Sequence, residues 1–370
     1  MNILQVTAHY PPFLGGIANH VHQVSERLVQ RGARVTVLTT DPSGTLPAHE
    51  EQAGVEVRRI RSWPRREDFF FAPGIARPIL EGPWDLVHVQ GSHTLVPPVA
   101  MAAARRAALP YVVTFHTGVH SSGLRNLLRP LEWRLLRPLF NGAARFVGVS
   151  TYEARYFQQA LGADPSRFVV IPNGADLPLP PTDAPRQSTG KTTIVSIGRL
   201  ERFKGHHRAI EAMPAILATI PDARLLILGS GPFEPDLHRI AAEQGVADRV
   251  EIRFIPPAER ETLAGVLRDS ALITLLSEGE SHPLAVIEAA ALGCSILVGE
   301  DGMGCSELAE RGLARSIALS STPEQVAAAV VAQIANPFQP GEVEIPTWDA
   351  CADKLFALYA EIVKVPACVS

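Results

Sequence analysis

Cysteine is scarce in this chain of 370 residues, and the four present, Cys294, Cys305, Cys351 and Cys368, show none of the paired short spacings of zinc or redox sites. Reduced, structural thiols are expected. Basic charge is not in excess either. Lys and Arg number 34 against 38 Asp and Glu, a net charge of −4, which argues against general nucleic-acid binding. No apolar run approaches the ~20 residues that a membrane-spanning helix needs. Met1 leads straight into a strand-like stretch at 2–7, with no basic segment followed by an apolar one, so the chain is expected in the cytoplasm. What is present is length and apolar content: 46% hydrophobic residues can bury sizeable cores, and the chain is too long for one typical domain. Arginine is clustered, with Arg58, Arg59, Arg61, Arg65 and Arg66 in one group and Arg125, Arg129, Arg134 and Arg137 in another.

Alternation over 2–7 ends in a Pro/Gly-rich loop, after which Ile17, Val21, Val24 and Leu28 recur at helical spacing up to Gly32, and 35–40 reads as the next strand. Strand, Gly-rich loop, helix and strand make a right-handed βαβ unit, the start of a parallel doubly wound sheet. Strands at 85–89, 111–114, 146–149 and 169–171 continue it, with helices over 97–107 and 151–161. The proline-rich stretch 177–190 can form neither helix nor central strand, because proline lacks the amide and fixes φ. Alternation restarts with strands at 193–197, 224–228, 250–254, 272–276 and 295–298 and helices around 207–220, 235–244, 258–267 and 284–292. A last helix over 348–364 follows a Pro-rich break at 336–346. The predicted fold class is α/β, two doubly wound Rossmann-like domains at 1–176 and 193–347 joined by a linker at 177–192.

Chemistry concentrates in loops at strand carboxyl ends, where open α/β sheets bind ligands. Leu276-Ser277-Glu278-Gly279-Glu280-Ser281-His282-Pro283 sets an acidic loop between a buried strand and an apolar helix. The first amides of that helix, Leu284 and Ala285, favour a phosphate together with the helix dipole. Glu280 cannot bind phosphate, so its partner is a sugar hydroxyl or a developing positive charge. Glu288 lies inside the helix while Glu280 lies in the loop, so the facing carboxylates of a glycosidase do not fit, and ribose hydroxyls suit Glu288 better. Arg199 and Lys204, a bidentate fork and a mobile point charge, suit a diphosphate, although an ordinary solvated loop has the same composition. His116 ends a strand, where an imidazole can donate to a sugar hydroxyl or a departing phosphate. Gly15 and Gly16 either admit a ligand to the backbone or make a tight turn that packs the helix on the sheet.

Other features narrow the field. Gly229-Ser230-Gly231-Pro232-Phe233-Glu234 imitates the dinucleotide fingerprint, but Glu234 replaces the third glycine and Pro232 removes an amide, which disfavours a nicotinamide dehydrogenase. His116 and His120 do not make a zinc site, since Gly118 breaks helical spacing and no third ligand is near. His20 and His22 are expected on different helix faces, both solvated. The stretch 124–140 mixes Leu, Trp and Arg. That suits an anionic membrane surface, with Leu and Trp entering the acyl boundary, or an ordinary helix with its Leu face on the domain core.

In order and spacing, over nearly the whole chain, these motifs resemble glycosyltransferase family 4, of the GT-B architecture. The residues that carry the resemblance are Gly15-Gly16, His116, Ile171-Pro172-Asn173-Gly174-Ala175-Asp176, Gly198-Arg199 with Lys204-Gly205, Gly229-Ser230-Gly231-Pro232, Glu280 with Glu288, and Trp348-Asp349. The resemblance implies two domains facing across a cleft, with the last helix packed back on the first. It implies a retaining hexosyltransferase that needs no metal or other cofactor and takes a UDP- or GDP-sugar as co-substrate. The acceptor would be a carbohydrate, a lipid-linked sugar or a small molecule, at the inner face of the cell membrane where a lipid is involved, with no role for nucleic acid. Arg199 and Lys204 would neutralise the diphosphate, and Gly15, Gly16, Gly229 and the amides of Leu284 and Ala285 would bind the donor. Glu288 would hold the ribose, with Glu280 and His116 as the catalytic groups around the transferred sugar. The chain departs from the family pattern at Phe254, His282, Pro283 and Met303-Gly304. A nucleotide-sugar 2-epimerase and a catalytically idle nucleotide-sugar-binding protein are the alternatives.

Overall fold

The computed structural model describes residues 1–13, 15–63, 70–92, 94–116, 123–175, 177–178, 192–256, 258–340 and 346–364, of 123–130 the backbone alone. The expected linker falls outside these from 179 to 191, as do Arg65, Arg66, His120 and the side chains of Arg125 and Arg129. Contacts divide the chain into two units, one of Met1–Thr117, Leu124–Gly174 and Pro346–Ser370, the other chiefly Ala175–Ile345.

The first unit runs β1 (Asn2–Val6), α1 (Gly16–Gln30), β2 (Arg34–Asp41), β3 (His49–Gln52), β4 (Val55–Arg61), α2 (Ala76–Glu81) and β5 (Leu86–Gln90). It continues with α3 (Val96–Arg106), β6 (Tyr111–Thr114), α4 (Gly123–Phe140), β7 (Arg145–Gly148), α5 (Thr151–Leu161) and β8 (Phe168–Val170). The eight strands lie in the order β3-β4-β2-β1-β5-β6-β7-β8. All are parallel to their neighbours except β3, which pairs antiparallel with β4. Strand order reverses between β1 and β5, so the loops after those strands leave the same edge side by side.

The second unit runs β9 (Thr193–Ile197), α6 (His206–Thr219), β10 (Arg224–Leu228), α7 (Glu234–Glu243), β11 (Val250–Arg253), α8 (Arg260–Asp269) and β12 (Leu272–Leu275). Then come α9 (Leu284–Ala291), β13 (Ile296–Glu300), α10 (Gly304–Glu310), β14 (Arg315–Ala318) and α11 (Pro323–Ala335). Its six strands are all parallel, in the order β11-β10-β9-β12-β13-β14, and the reversal falls between β9 and β12. One face is covered by Ile210, Met213 and Ile216 of α6 with α7 and α11. The other is covered by Val286, Ile287 and Ala290 of α9 with α8 and α10.

The last helix, α12 (Trp348–Lys364), belongs to the first unit. Arg31 on α1 reaches Asp353 at 2.6 Å and Asp349 at 3.1 Å, and Arg27 reaches Asp349 at 3.3 Å. Gly174 has no room for a side chain, because a Cβ there would fall on the backbone of Trp348.

The arginines at 58–61 are divided between two faces, because β4 alternates Val55, Val57 and Arg59 inward. Buried Arg59 pairs with Glu50 and donates to the carbonyls of Pro11 at 2.9 Å and Pro47 at 3.2 Å. His20 is buried rather than solvated, while His22 stays near the surface and sits 3.6 Å from Glu26. Trp133 is a core residue, edge-on to Phe157 at 5.2 Å, so it cannot enter an acyl boundary. Among the described side chains of α4, the exposed large apolar ones are Leu131 and Leu135, 56% and 70% exposed. No helix among the described residues is long and apolar enough to cross a membrane.

Candidate active site

The reversal between β9 and β12 decides which side chains meet in the second unit. After β9 the chain passes Gly198 and Arg199, makes a short turn at Arg202–Lys204 and enters α6 through Gly205. After β12 it passes the acidic loop and enters α9. The two loops are fastened by backbone, with Glu278 N–H donating to Phe203 O at 2.8 Å and Ser277 Oγ to the same oxygen at 3.2 Å. Gly205, at φ 77°, is required twice, by its left-handed conformation and because a Cβ would fall on the carbonyl oxygen of Leu276.

That fastening sets Lys204 Nζ 2.5 Å from Glu280 Oε1, with the two side chains only 15% and 12% exposed. Glu280 is itself held by its backbone. Its N–H donates to Asp301 Oδ2 at 3.0 Å, and its carbonyl accepts from Gly304 at 2.6 Å. Asp301 Oδ1 also takes the Met303 amide at 2.7 Å, ahead of α10. A Cβ on Gly304 would lie 2.5 Å from Glu280 O, so of Met303-Gly304 it is the glycine that the loop needs.

His206 steadies the other loop. Burial, reinforced by the nearby Lys204 ammonium, lowers its pKa to about 4, so the ring is neutral. Nε2 faces the Arg199 carbonyl at 3.1 Å and must donate, which leaves Nδ1 to accept from Ser196 Oγ at 2.8 Å. Arg199 itself is 59% exposed and pairs with Glu201 at 2.7 Å. The structure therefore brings Lys204 and Glu280 together and gives Arg199 a different partner. Gly229 has a packing reason to be glycine, since a Cβ would fall on Gly198 O. At the α9 entrance Val286 N–H is already engaged by Pro283 O, and among the described residues no acceptor faces the amides of Leu284 and Ala285.

Glu288 is largely buried and paired with Arg260, the first residue of α8. Sequence reading missed Arg260. It sits among ordinary polar residues after Pro256 and Pro257, and nothing in its spacing ties it to Glu288.

In the first unit, Gly15 and Gly16 open α1, and a Cβ on either would meet nothing within 4 Å. Gly15, at φ 157°, has a backbone reason to be glycine, whereas at Gly16 the fold leaves the space of a side chain open. His116 follows β6 with φ 51° and places Nε2 2.8 Å from Gln90 Oε1, at the end of β5. His20 lies edge-on to it at 4.6 Å, with Nδ1 2.7 Å from Asn173 Oδ1. Burial lowers the pKa of His20 to about 4. Among the described residues no three His, Cys, Asp or Glu side chains come together as a metal site would require.

Residues 14–178 match the model of Glycosyltransferase Family 4 and residues 183–341 that of Glycosyl transferases group 1. The D-inositol 3-phosphate glycosyltransferase of Geodermatophilus obscurus is 30% identical over 87% of this chain and 78% of its own. The GDP-mannose:cellobiosyl-diphosphopolyprenol alpha-mannosyltransferase of Xanthomonas oryzae pv. oryzae is 27% identical over 79% of this chain and 77% of its own. HepE of Anabaena, solved in complex with UDP-glucose, matches with a TM-score of 0.71 at 19% identity, covering 98% of each chain, a likeness of fold. The chain belongs to glycosyltransferase family 4, with the two-domain GT-B fold. It is a glycosyltransferase.

Two predictions follow from this geometry. Lys204→Met leaves a mostly buried carboxylate without its partner and lowers stability by about 1–3 kcal/mol, less than for a fully buried pair because both groups keep some contact with water. Glu280→Gln in the same chain restores part of that loss, and strictly additive costs in urea unfolding would show that the contact carries no energy. Because His206 has a depressed pKa in the fold, the unfolded chain takes up its proton first as pH falls. Its contribution is present above pH 6.5, its ordinary value, and is lost toward pH 4. Melting midpoints should fall more steeply over that window in the wild type than in His206→Asn.

Proposed function

We propose that this glycosyltransferase moves a hexosyl group from a UDP- or GDP-sugar to a carbohydrate, lipid-linked or small-molecule acceptor, with retention at the anomeric carbon and without a metal. The observation that carries this reading is the Lys204–Glu280 pair at the β9/β12 reversal, beside the entrance of α9. An ammonium has three donors, so Lys204 can hold Glu280 and still donate to phosphate oxygens. The amides of Leu284 and Ala285 add fixed dipoles of the same sign, and Glu288 holds the ribose. Arg199, exposed and paired with the neighbouring Glu201 carboxylate, turns to the diphosphate when the donor binds.

The reaction has one electronic demand: as the bond from the anomeric carbon to phosphate breaks, charge builds on the leaving oxygen and the sugar becomes oxocarbenium-like. Preorganised cations and amides meet the first need, and the Glu280 carboxylate stabilises the second. The acceptor oxygen bonds to the anomeric carbon on the face the phosphate leaves. Its proton passes to the departing phosphate oxygen. His116 meets the transferred sugar, and Gly15-Gly16 lets backbone approach the donor where nothing in the fold fills the space.

A thermal-shift series with UDP, GDP, ADP and their sugars identifies the donor, since a ligand of the folded state alone raises the melting temperature. Transfer from that donor should survive EDTA and retain the anomeric configuration by NMR. Glu280→Ala should lower kcat by about 100-fold or more while changing donor affinity far less. Equal losses in both would make Glu280 a binding residue only, and inversion would overturn the mechanism.

We further propose that α4 touches anionic membrane through Leu131 and Leu135, with Arg134 exposed between them, which suits a lipid-linked acceptor. Flotation with phosphatidylglycerol vesicles should be lost in Leu131→Glu/Leu135→Glu. Binding that ignores either the double substitution or the anionic lipid content would remove the proposal.

A further inference from the structure

The first unit contains a chain of buried polar groups for which the proposed chemistry has so far had no use. Gln5 of β1, His88 and Gln90 of β5, Thr114 of β6 and Tyr359 of α12 are all buried. Gln90 Nε2 donates to Gln5 Oε1 at 2.9 Å, and Gln5 Nε2 donates to Tyr359 Oη at 3.3 Å. Tyr359 Oη lies 2.5 Å from His88 Nδ1, and His88 Nε2 lies 2.7 Å from Thr114 Oγ1. Burial keeps the His88 pKa well below its ordinary value and raises that of Tyr359, so the cluster is neutral. Its open end is Gln90 Oε1, which faces His116 Nε2 at 2.8 Å.

We propose that Gln90 is a positioning residue for His116, holding its ring at Nε2 through a carboxamide that is itself held from behind by Gln5 and Tyr359. The proposal rests on the reading that His116 meets the transferred sugar. A carboxamide oxygen only accepts and its nitrogen only donates. If Gln90 alone were flipped, its oxygen would face the Gln5 oxygen and Gln5 Oε1 would lose its donor, inside a region where unsatisfied polar groups are costly. That flip is therefore disfavoured by Gln5, whose NH2 group is held on Tyr359 Oη. With the oxygen toward His116, Nε2 bears a hydrogen and donates to it. His20 on α1 also lies against the ring, neutral and turned to Asn173. The last helix thereby reaches the candidate site: Tyr359 on α12 sets Gln5, Gln5 sets Gln90, and Gln90 sets His116.

The test uses the full chain and the donor found by thermal shift. Gln90→Met keeps the volume and removes the acceptor. It should lower kcat about 10- to 100-fold, with donor affinity changed by no more than about two-fold. Gln90→Glu keeps an acceptor oxygen toward His116 and should retain more of kcat than Gln90→Met. In a His116→Ala background Gln90→Met should change kcat by less than about two-fold, because the group it positions is gone. Should Gln90→Met fail to fold, Gln5→Met loosens the same carboxamide from behind and should show a smaller kcat loss that also vanishes without His116. Losses that add across the two sites, or Gln90→Glu as poor as Gln90→Met, overturn the proposal for Gln90 alone. A His116→Ala enzyme with undiminished kcat overturns the role of His116 and that of Gln90 with it.

Discussion

Everything proposed for the second unit depends on one topological constraint, the reversal of strand order between β9 and β12. Right-handed crossovers on either side of that point send α6 to one face of the sheet and α9 to the other, and the separate apolar clusters beneath them are the result. With both helices drawn apart, the loops that lead into them lean on each other. They close the gap by backbone, Phe203 to Glu278 and Gly205 against Leu276. Lys204 and Glu280 are the side chains that this contact leaves facing one another. An ion pair so nearly buried is weak support for a fold, because desolvation offsets most of its attraction. Its value lies in holding a cation and a carboxylate in fixed positions before a charged ligand arrives.

The first unit repeats the arrangement with different chemistry. Its reversal lies between β1 and β5, and the loops beside it carry the Gly15-Gly16 pair and Gln90, with His116 one strand further on. Where the second unit meets its reversal with charge, this one meets it with neutral imidazoles and carboxamides, and burial is the reason. Among the described residues no carboxylate lies against His20 or His88 to keep a proton, so desolvation decides and both rings are neutral. A neutral network orients by donor and acceptor matching alone, which fixes tautomers rather than charges. The α12 helix completes this network through Tyr359 and is fastened at its outer face by Arg27 and Arg31.

Much of the fold was legible because parallel strands buried on both faces read as short apolar runs, and runs such as Leu225 to Leu228 or Ile194 to Ile197 carry little else. What escaped lies at the sheet margins. β3 is His-Glu-Glu-Gln, β14 is Arg-Ser-Ile-Ala, and β4 hides behind its arginines. Edge strands bury too little to need an apolar pattern, and Arg59 satisfies its inward position with an ion pair and two carbonyls instead. Among the candidate site residues, those at strand ends were legible from position, and Lys204 with Glu280 were brought together. Pairings between separate elements were not. Arg260 meets Glu288, and Gln90 meets His116, through tertiary neighbours that leave no periodic trace in the chain.

The glycines separate what the fold requires from what it leaves over. At Gly205 and Gly304 the space a side chain would take is already filled by the backbone of the neighbouring loop, so the fold alone accounts for them. At Gly15 and Gly16 that space is empty, and a residue with a Cβ would cost the fold little at Gly16, where φ is ordinary for a helix start. A glycine kept where the protein itself makes no demand needs an outside reason. Exposed amide backbone at the head of α1, carrying the positive end of its dipole, gives one that is the same in kind as at α9: room for the approach of an anionic ligand. Each unit thus presents a helix entrance of like polarity, one walled by charge and one left open by glycine.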